Sequence, residues 1–362
     1  VIWPRKAIRF ETLILAIAGL SITAAAQNAY ITNENDNTVS VINTNTNTVT
    51  AVVPVGPHPA SVTFSPDGTK VYVGNVNDGT ISVINALTNT VAATIPIPGG
   101  VGLIVASPDG TKLYIENSSN TVSVMSTSNN SIAAVITVQL GPWGIAATPD
   151  GSRVYVANGN SNSVSVINAA TNSVIATVAV GVEPRGIAVS PDSSKLYVAN
   201  DTGTISVIST ASNTVTATVS SPAQAPFGIA VTPDGSRLYV ADLLPSGLTS
   251  VYSTAGNTFL TSVPVGNDPS SVSVTPNGSE AYVVNTLSNT VSVISTATNA
   301  VIATLNVGNR PRSLGNFIGP ALPSTPTPTP APPTLLLGGI GLMLSALFAW
   351  KLRIAPKALS VR

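Results

Sequence analysis

One phrase, repeated at nearly constant spacing, constrains this chain more than anything else in it. Its clearest copy, residues 141–180, reads G-P-W-G-I-A-A-T-P-D-G-S-R-V-Y-V-A-N-G-N-S-N-S-V-S-V-I-N-A-A-T-N-S-V-I-A-T-V-A-V. The tyrosine of the phrase falls at Tyr30, Tyr72, Tyr114, Tyr155, Tyr197, Tyr239 and Tyr282, so the period is 41 to 43 residues. A period of this size marks a repeat architecture, in which one unit cannot bury its apolar face alone.

Each copy carries four strand signals rich in Val, Ile, Thr and Tyr. In the copy above they cover 144–148, 153–157, 163–167 and 173–178. A P-D-G turn separates the first two, as at Pro66, Pro108, Pro149 and Pro233, with variants at Pro191 and Pro276. Pro presets such a turn and Gly accepts its left-handed residue. Between the third and fourth signals an asparagine recurs, at Asn47, Asn89, Asn130, Asn172, Asn213, Asn257 and Asn299. Asparagine tolerates the left-handed conformation better than most residues. Four antiparallel strands in 40–45 residues is the size of one propeller blade.

The count predicts how the ring closes. The strand at Tyr30 has no first strand before it, and 312–318 reads as a first strand left over at the other end. Pairing 312–318 beside 30–33 would complete a split blade and remove two open sheet edges. The expectation is an all-β, seven-bladed β-propeller of about 28 strands over residues 27–319.

The wording of the repeat carries a resemblance. Y-I-T-N-E-N-D-N-T-V-S-V-I-N-T from Tyr30, Y-V-A-N at Tyr155 and Tyr197, and P-D-G-S-R-V-Y-V from Pro149 resemble the repeat of the YVTN-type β-propellers. The resemblance covers about 29 to 318. It implies the propeller fold and a family that includes surface-layer-like proteins, periplasmic binding proteins and relatives of cofactor-dependent enzymes. It leaves the function open, since one fold hosts many activities.

Both ends differ from the repeats. Residues 1–26 read as a signal peptide: Arg5, Lys6 and Arg9 precede a ten-residue apolar stretch, and Ala24-Ala25-Ala26 suits cleavage after Ala26. Residues 320–333 form a Pro/Thr-rich linker of extended, semi-rigid character. Residues 334–350 are apolar and just long enough to span a membrane. Residues 351–362 form a basic tail with Lys351, Arg353, Lys357 and Arg362, which assigns it to the cytoplasmic side. Pro-rich motif, apolar segment and basic end together resemble a PEP-type sorting signal. The glutamate expected between the prolines is missing, so a processed segment and a plain anchor both stay open.

Charge and composition narrow the partner. The repeats hold 8 Lys/Arg against 14 Asp/Glu, a net of −6, although the whole chain sums to zero. A nucleic-acid surface ordinarily needs a basic field. Cysteine is absent and His58 is the sole histidine, which excludes thiolate chemistry and multi-imidazole metal centres.

Loops leading into the first strands should gather at one mouth of the channel. There the copies differ most, with His58, Trp143, Glu183, Arg185, Phe227, Asp268, Arg310 and Arg312 as candidate ligand-binding residues. A lactonase-like reading pairs His58 with Glu183 and Arg185 as base and electrostatic clamp. A single-stranded nucleic-acid reading stacks bases on Trp143 and Phe227 beside Arg185, Arg310 and Arg312, against the acidic balance. The acids Glu34, Asp36, Asp78, Glu116, Asp201 and Asp242 read as turn-forming residues. On the opposite face Lys70, Lys112, Arg153, Lys195 and Arg237 each follow a turn aspartate by three residues and are expected to neutralise it. The reading as a whole is a non-enzymatic, exported, monomeric propeller tethered at the envelope, without cofactor or metal. Its partner would be an envelope or extracellular protein or polysaccharide. A periplasmic ligand or nucleic-acid binder, and a lactonase-like or cofactor-assisted enzyme, are the alternatives.

Overall fold

The middle strands of each copy are uncharged along nearly their whole length and carry Val, Ile, Ala or small hydroxyl side chains on both faces, a pattern that suits burial on both sides. The computed structural model, which describes residues 27–322, meets that demand by packing seven blades against one another. Six sheets have four antiparallel strands in chain order and the seventh has three. Blade 4 consists of Pro142–Ala147, Arg153–Asn158, Ser163–Asn168 and Ser173–Ala179; the first starts two residues before and ends one before its expected bounds, and the other three run one residue further. Its second and third strands are almost wholly buried, whereas the fourth is mostly exposed. A β-bulge recurs where the third strand pairs with the fourth, in blades 1 to 7 alike.

Ring closure occurs where the repeat count placed it, but not as a regular strand. The three-stranded blade 1 begins with Asn28–Asn33. Tyr30 N–H donates to Phe317 O (2.9 Å), Arg312 N–H to Thr32 O (3.0 Å) and Glu34 N–H to Arg310 O (3.0 Å). Between these bonds Leu314 turns to blade 2 instead. Its N–H donates to Ala60 O (2.9 Å) and its carbonyl accepts from Val62 N–H (3.0 Å). The Ser313 hydroxyl fills the gap by accepting Thr32 N–H (2.8 Å). The closing segment thus joins two blades, and fully buried Phe317 anchors it in their core.

The recurrent tyrosine and asparagine also link blades. Tyr30 Oη–H donates to Asn89 Oδ1 (2.7 Å) and Tyr239 Oη–H to Asn299 Oδ1 (2.8 Å), in each case in the turn of the next blade. Tyr282 makes the same bond to Asn47 and so carries the pattern across the closure. Asn47, Asn89 and Asn299 are left-handed as expected, with φ near 52°.

The Ser65, Ser107 and Thr148 hydroxyls chiefly lower the turn aspartates Asp67, Asp109 and Asp150, and the charges of Lys70, Lys112 and Arg153 help, as expected. Among the described residues none of these bases forms a direct ion pair there, and four of the five basic residues of this face bond to the next blade. Lys112 Nζ donates to Ala169 O (2.7 Å) and Asn172 Oδ1 (3.3 Å) of the next blade. Arg153 reaches Thr210 O and Asn213 Oδ1, and Arg237 reaches Thr296 O and Asn299 Oδ1, in the same way. Lys195 Nζ donates to Thr254 O (3.3 Å). A long side chain here gains more from orphan carbonyls than from an exposed carboxylate, whose ion pair is worth little.

The described chain leaves the ring on this same face, where a Cβ built on Gly68 would lie 3.0 Å from Pro320 Cγ. The expected signal peptide at 1–26, the apolar segment at 334–350 and the tail at 351–362 lie outside the described residues, as does most of the linker. Among the described residues, no helix is long and apolar enough to cross a membrane.

Candidate functional site

Apart from blade 3, whose first strand opens at Ile104, each first strand or closing segment opens with a proline preceded by a tight entry loop, and the residue before that proline is left-handed in five blades. These residues are His58, Gly141, Glu183, Asp268 and Arg310, with φ of 58°, 67°, 49°, 56° and 52°. Glycine is the natural occupant of such a position, so four charged or titratable side chains stand where the backbone would accept none. Backbone strain of this kind costs on the order of 1 kcal/mol and persists where the surroundings over-determine it.

An asparagine supplies the determination. Asn37 Oδ1 accepts His58 N–H (3.0 Å), Asn120 Oδ1 accepts Gly141 N–H (2.9 Å), Asn162 Oδ1 accepts Glu183 N–H (2.9 Å) and Asn289 Oδ1 accepts Arg310 N–H (2.8 Å). Each asparagine sits 21 residues upstream, in the mouth loop of the preceding blade. Asp268 is held by the Leu244 carbonyl instead (3.1 Å). The ring thereby fixes the backbone of the rim while leaving its side chains free to differ.

Four candidate residues converge. The Arg185 guanidinium lies 4.4 Å from the Trp143 ring centre. Arg312 lies 5.9 Å from both the Trp143 and Phe227 rings. Trp143 and Phe227 meet edge to face at 6.4 Å. These residues belong to blades 4, 5, 6 and the closing segment, so the quartet gathers side chains from across the channel mouth. Phe227 is buried, while Trp143 keeps 37% of its surface exposed.

Two ionic clusters flank the quartet. Arg185 Nη2 donates to Glu183 Oε2 (2.8 Å) and Asp201 Oδ2 (3.2 Å). On the other side Glu34 is buried and gathers three basic groups. His58 Nε2 lies 2.8 Å from Oε1, Arg310 Nε 2.7 Å from Oε2, and Arg312 Nη1 3.5 Å from Oε1. The expected pairing of His58 with Glu183 and Arg185 is therefore corrected: the carboxylate partner of His58 is Glu34. Asp268 stands apart from both clusters, without an ion pair among the described residues.

Three acids expected in turns are buried instead. Besides Glu34 these are Glu116 and Asp242, near or at the mouth ends of the second strands of blades 3 and 6. Glu116 replaces the small or β-branched residue of the other copies (Thr32, Gly74, Ala157, Ala199, Ala241 and Val284). Leu103 N–H donates to its Oε2 (3.3 Å), and its Oε1 has no hydrogen-bond partner. Burial pushes the Glu116 carboxyl up to about 8. Asp242 replaces an asparagine, and burial pushes it up to about 6 although the Ser250 and Ser221 hydroxyls donate to it. The signal for all three was in the sequence, as departures from the repeat, but turn chemistry explained them too easily.

Beside the quartet lies a cavity of about 430 Å³. Trp143 and Phe227 line it near the mouth and Pro149, Pro233 and Pro276 at the turn face, with Gly, Ala, Ile and Val between. Among its lining residues there is no acid or base. Among the described residues, no group of three or more His, Cys, Asp or Glu side chains could hold a metal ion.

A ring of seven four-stranded blades with a variable mouth defines a seven-bladed β-propeller. No family model and no curated protein matches the sequence. Solved structures match the fold. Hydrazine synthase of Kuenenia stuttgartiensis superimposes with a TM-score of 0.65 at 22% identity, over 73% of this chain and 91% of that one. A functionally unknown protein of Desulfotomaculum acetoxidans gives 0.68 at 17%, over 80% and 99%. A candidate 6-phosphogluconolactonase of Bacteroides uniformis gives 0.67 at 18%, over 79% and 98%. At such identities the likeness speaks for the fold alone.

Proposed function

We propose that this chain is an exported, envelope-tethered propeller of the YVTN type, whose channel mouth is a rigid, non-catalytic platform for an envelope or extracellular protein or polysaccharide. The observation that carries the reading is the Trp143–Arg185–Phe227–Arg312 quartet on an asparagine-clamped rim. Trp and Arg are the side chains most often found at binding hot spots, and a preformed rim loses little freedom on binding. The chain leaves the ring on the opposite face, beside Gly68, so a tether there leaves the mouth free. A signal peptide at 1–26 and an apolar anchor or sorting segment at 334–350 belong to this proposal.

The test is capture of native envelope material by the full chain. Trp143→Ala with Arg185→Ala should weaken capture more than tenfold, about 1.4 kcal/mol, with the melting temperature nearly unchanged. Leu87→Ser, at an exposed turn on the far face, should leave capture intact. If the far-face variant abolishes capture and the rim pair does not, the binding face is wrong.

One observation favours a second reading, a lactonase-like hydrolase. Glu34 orients His58 through its Nε2, as a carboxylate orients a general base. Turnover of lactones or esters that disappears in His58→Ala would establish it.

A further inference from the structure

The residue that follows the opening proline changes from blade to blade: Ala60, Trp143, Arg185, Phe227, Ser270 and Arg312. The two arginines among them are held differently. Arg185 has two carboxylates, Glu183 at 2.8 Å and Asp201 at 3.2 Å. Arg312 reaches a single carboxylate oxygen, Glu34 Oε1, at 3.5 Å, and His58 sits closer to that oxygen at 2.8 Å. The other oxygen of Glu34 lies 2.7 Å from Arg310. Among the described residues Arg312 has no further ionic partner. A guanidinium carries five N–H donors, so most of those on Arg312 are left without a carboxylate. The aromatic pair connects this group to the cavity. Arg312 lies 5.9 Å from the ring centres of both Trp143 and Phe227. Both rings line the cavity of about 430 Å³, together with Ile104, Ile187, Ile229 and Val272. Its volume is that of a small-molecule site, and apolar walls with a few polar groups are the usual make-up of one. Ser271 lines the same cavity, and its buried hydroxyl has no hydrogen-bond partner. A polar group left in that state costs free energy until something bonds to it.

We propose that the channel binds a small amphipathic acid, a single carboxylate on an apolar body. The carboxylate pairs with Arg312, and the body lies against Trp143 and Phe227 in the cavity. Guanidinium and carboxylate match in charge and in fork geometry. The apolar body gains by leaving water for these walls, and a cavity fixed by the ring loses little freedom on binding. One negative charge suits the site better than several. Glu183 and Asp201 stay 49% and 35% exposed beside Arg185, and the repeats carry a net charge of −6. Each further negative charge on a ligand would meet that repulsion, with no second open guanidinium beside the rings to offset it. This site goes beyond the platform reading, because it takes a small molecule into the ring where the platform takes a macromolecule onto the rim.

Calorimetric titration of the full chain in a nonionic detergent, against a detergent blank, tests this with three probes: 2-naphthoate, 2-naphthylmethanol and acetate. The naphthoate should bind saturably, at least tenfold more tightly than the uncharged alcohol, and acetate should give no measurable binding. Arg312→Met keeps the length of the side chain and removes its charge and donors. It should lower the affinity for naphthoate to that for the alcohol, and Arg312→Lys should restore part of the difference. Circular dichroism melts check that both variants fold, and the comparison of probes on the parent protein decides the matter without either variant. No saturable binding of naphthoate, equal affinities for acid and alcohol, or acetate binding as tightly as naphthoate would overturn the proposal. So would a preference for the acid that survives Arg312→Met in a folded protein, because the carboxylate would then sit elsewhere. Capture of envelope material is read separately with Trp143→Ala and Arg185→Ala, so a failure of naphthoate to bind leaves the platform reading standing, and a failure of capture leaves this site standing.

Discussion

At the turn face of the ring the aspartates are exposed and strongly bonded. The Ser190 hydroxyl and the Ser194 amide hold Asp192 down at about 2, and the Thr232 hydroxyl and the Ser236 amide do the same for Asp234. At the mouth end three acids, Glu34, Glu116 and Asp242, are buried, and burial pushes Glu116 up to about 8 and Asp242 up to about 6. The difference follows from what each acid serves. A turn aspartate repeats in nearly every copy because it closes a turn, and its bonds all favour the charged form. Glu116 and Asp242 each occur once, in places where the other copies carry a neutral residue, and burial disfavours their charge. Repetition here marks architecture, and departure from it marks the end where the ring departs from its own rules.

The contrast can be broken most severely at the closure, which belongs to both ends. Deleting residues 312–318 from the full chain removes Phe317 from the core and reopens the edges of blades 1 and 2. The cooperative melt should be lost, as followed by circular dichroism, and the protein should aggregate. A variant that melts as the parent does would show that the ring does not depend on this joint.

Next comes Glu116. Its folded pKa of about 8 lies above the ordinary carboxyl value of 4.5, so the fold favours the protonated form. Stability should be greatest below pH 4.5 on this account and decline as pH rises toward 8, where the carboxylate is ionised in place. Glu116→Gln should flatten that decline and add on the order of 3 kcal/mol at pH 8. Denaturant melts of both proteins at pH 5, 6.5 and 8 would measure it. A gain that is the same at every pH would sink the assignment.

Asp242 gives a smaller effect of the same sign. Five other copies have an asparagine whose amide donates to a third-strand serine, as Asn75 does to Ser82 and Asn285 to Ser292 (2.9 Å each). In blade 6 the polarity is reversed, and the Ser250 hydroxyl donates to Asp242 Oδ2 (2.6 Å). Asp242→Asn should stabilise the protein by about 1–3 kcal/mol above pH 6. The gain should shrink between pH 6 and 4, where the native carboxyl becomes protonated. Thermal melts at pH 7.5 and 4 would test it, and destabilisation at pH 7.5 would show that the charge is wanted there.

The smallest effect belongs to the turn face. Blade 7 already carries Asn277 in place of the aspartate, and it accepts from the Thr275 hydroxyl (2.7 Å) and the Ser279 amide (3.0 Å) as an aspartate would. Asp234→Asn should therefore leave the melting temperature almost unchanged near neutral pH. A large loss would mean that charge, not turn geometry, is what this face preserves.

Much of the ring was legible in the residue order. The tyrosine spacing set the number of blades, the P-D-G and asparagine turns set their hairpins, and the leftover first strand located the closure. All of these rest on local chemistry that recurs with the period, so each copy confirmed the others. The membership of the rim was legible too, because positions that vary within a repeat are visible without any structure. Its pairings were not. Glu34 looked like a turn residue, and His58 was assigned to the wrong carboxylate. The bases of the turn face were matched to neighbours in sequence, and that left out the carbonyls of the next blade to which Lys112, Arg153, Lys195 and Arg237 donate.

What the sequence determined by itself, then, is everything that depends on period and local backbone preference: blade count, strand order, turn positions and which residues share a height in the ring. What only the tertiary structure decided is which side chains meet. Arg312 touches Trp143 and Phe227 because closure carries residue 312 to the channel mouth opposite blades 4 and 6. Glu34 collects His58 and Arg310 because the entry loop of blade 2 and the closing segment both run beside the blade that carries it. Such contacts depend on ring curvature and on side-chain direction between blades, and neither is encoded within a single copy of the repeat.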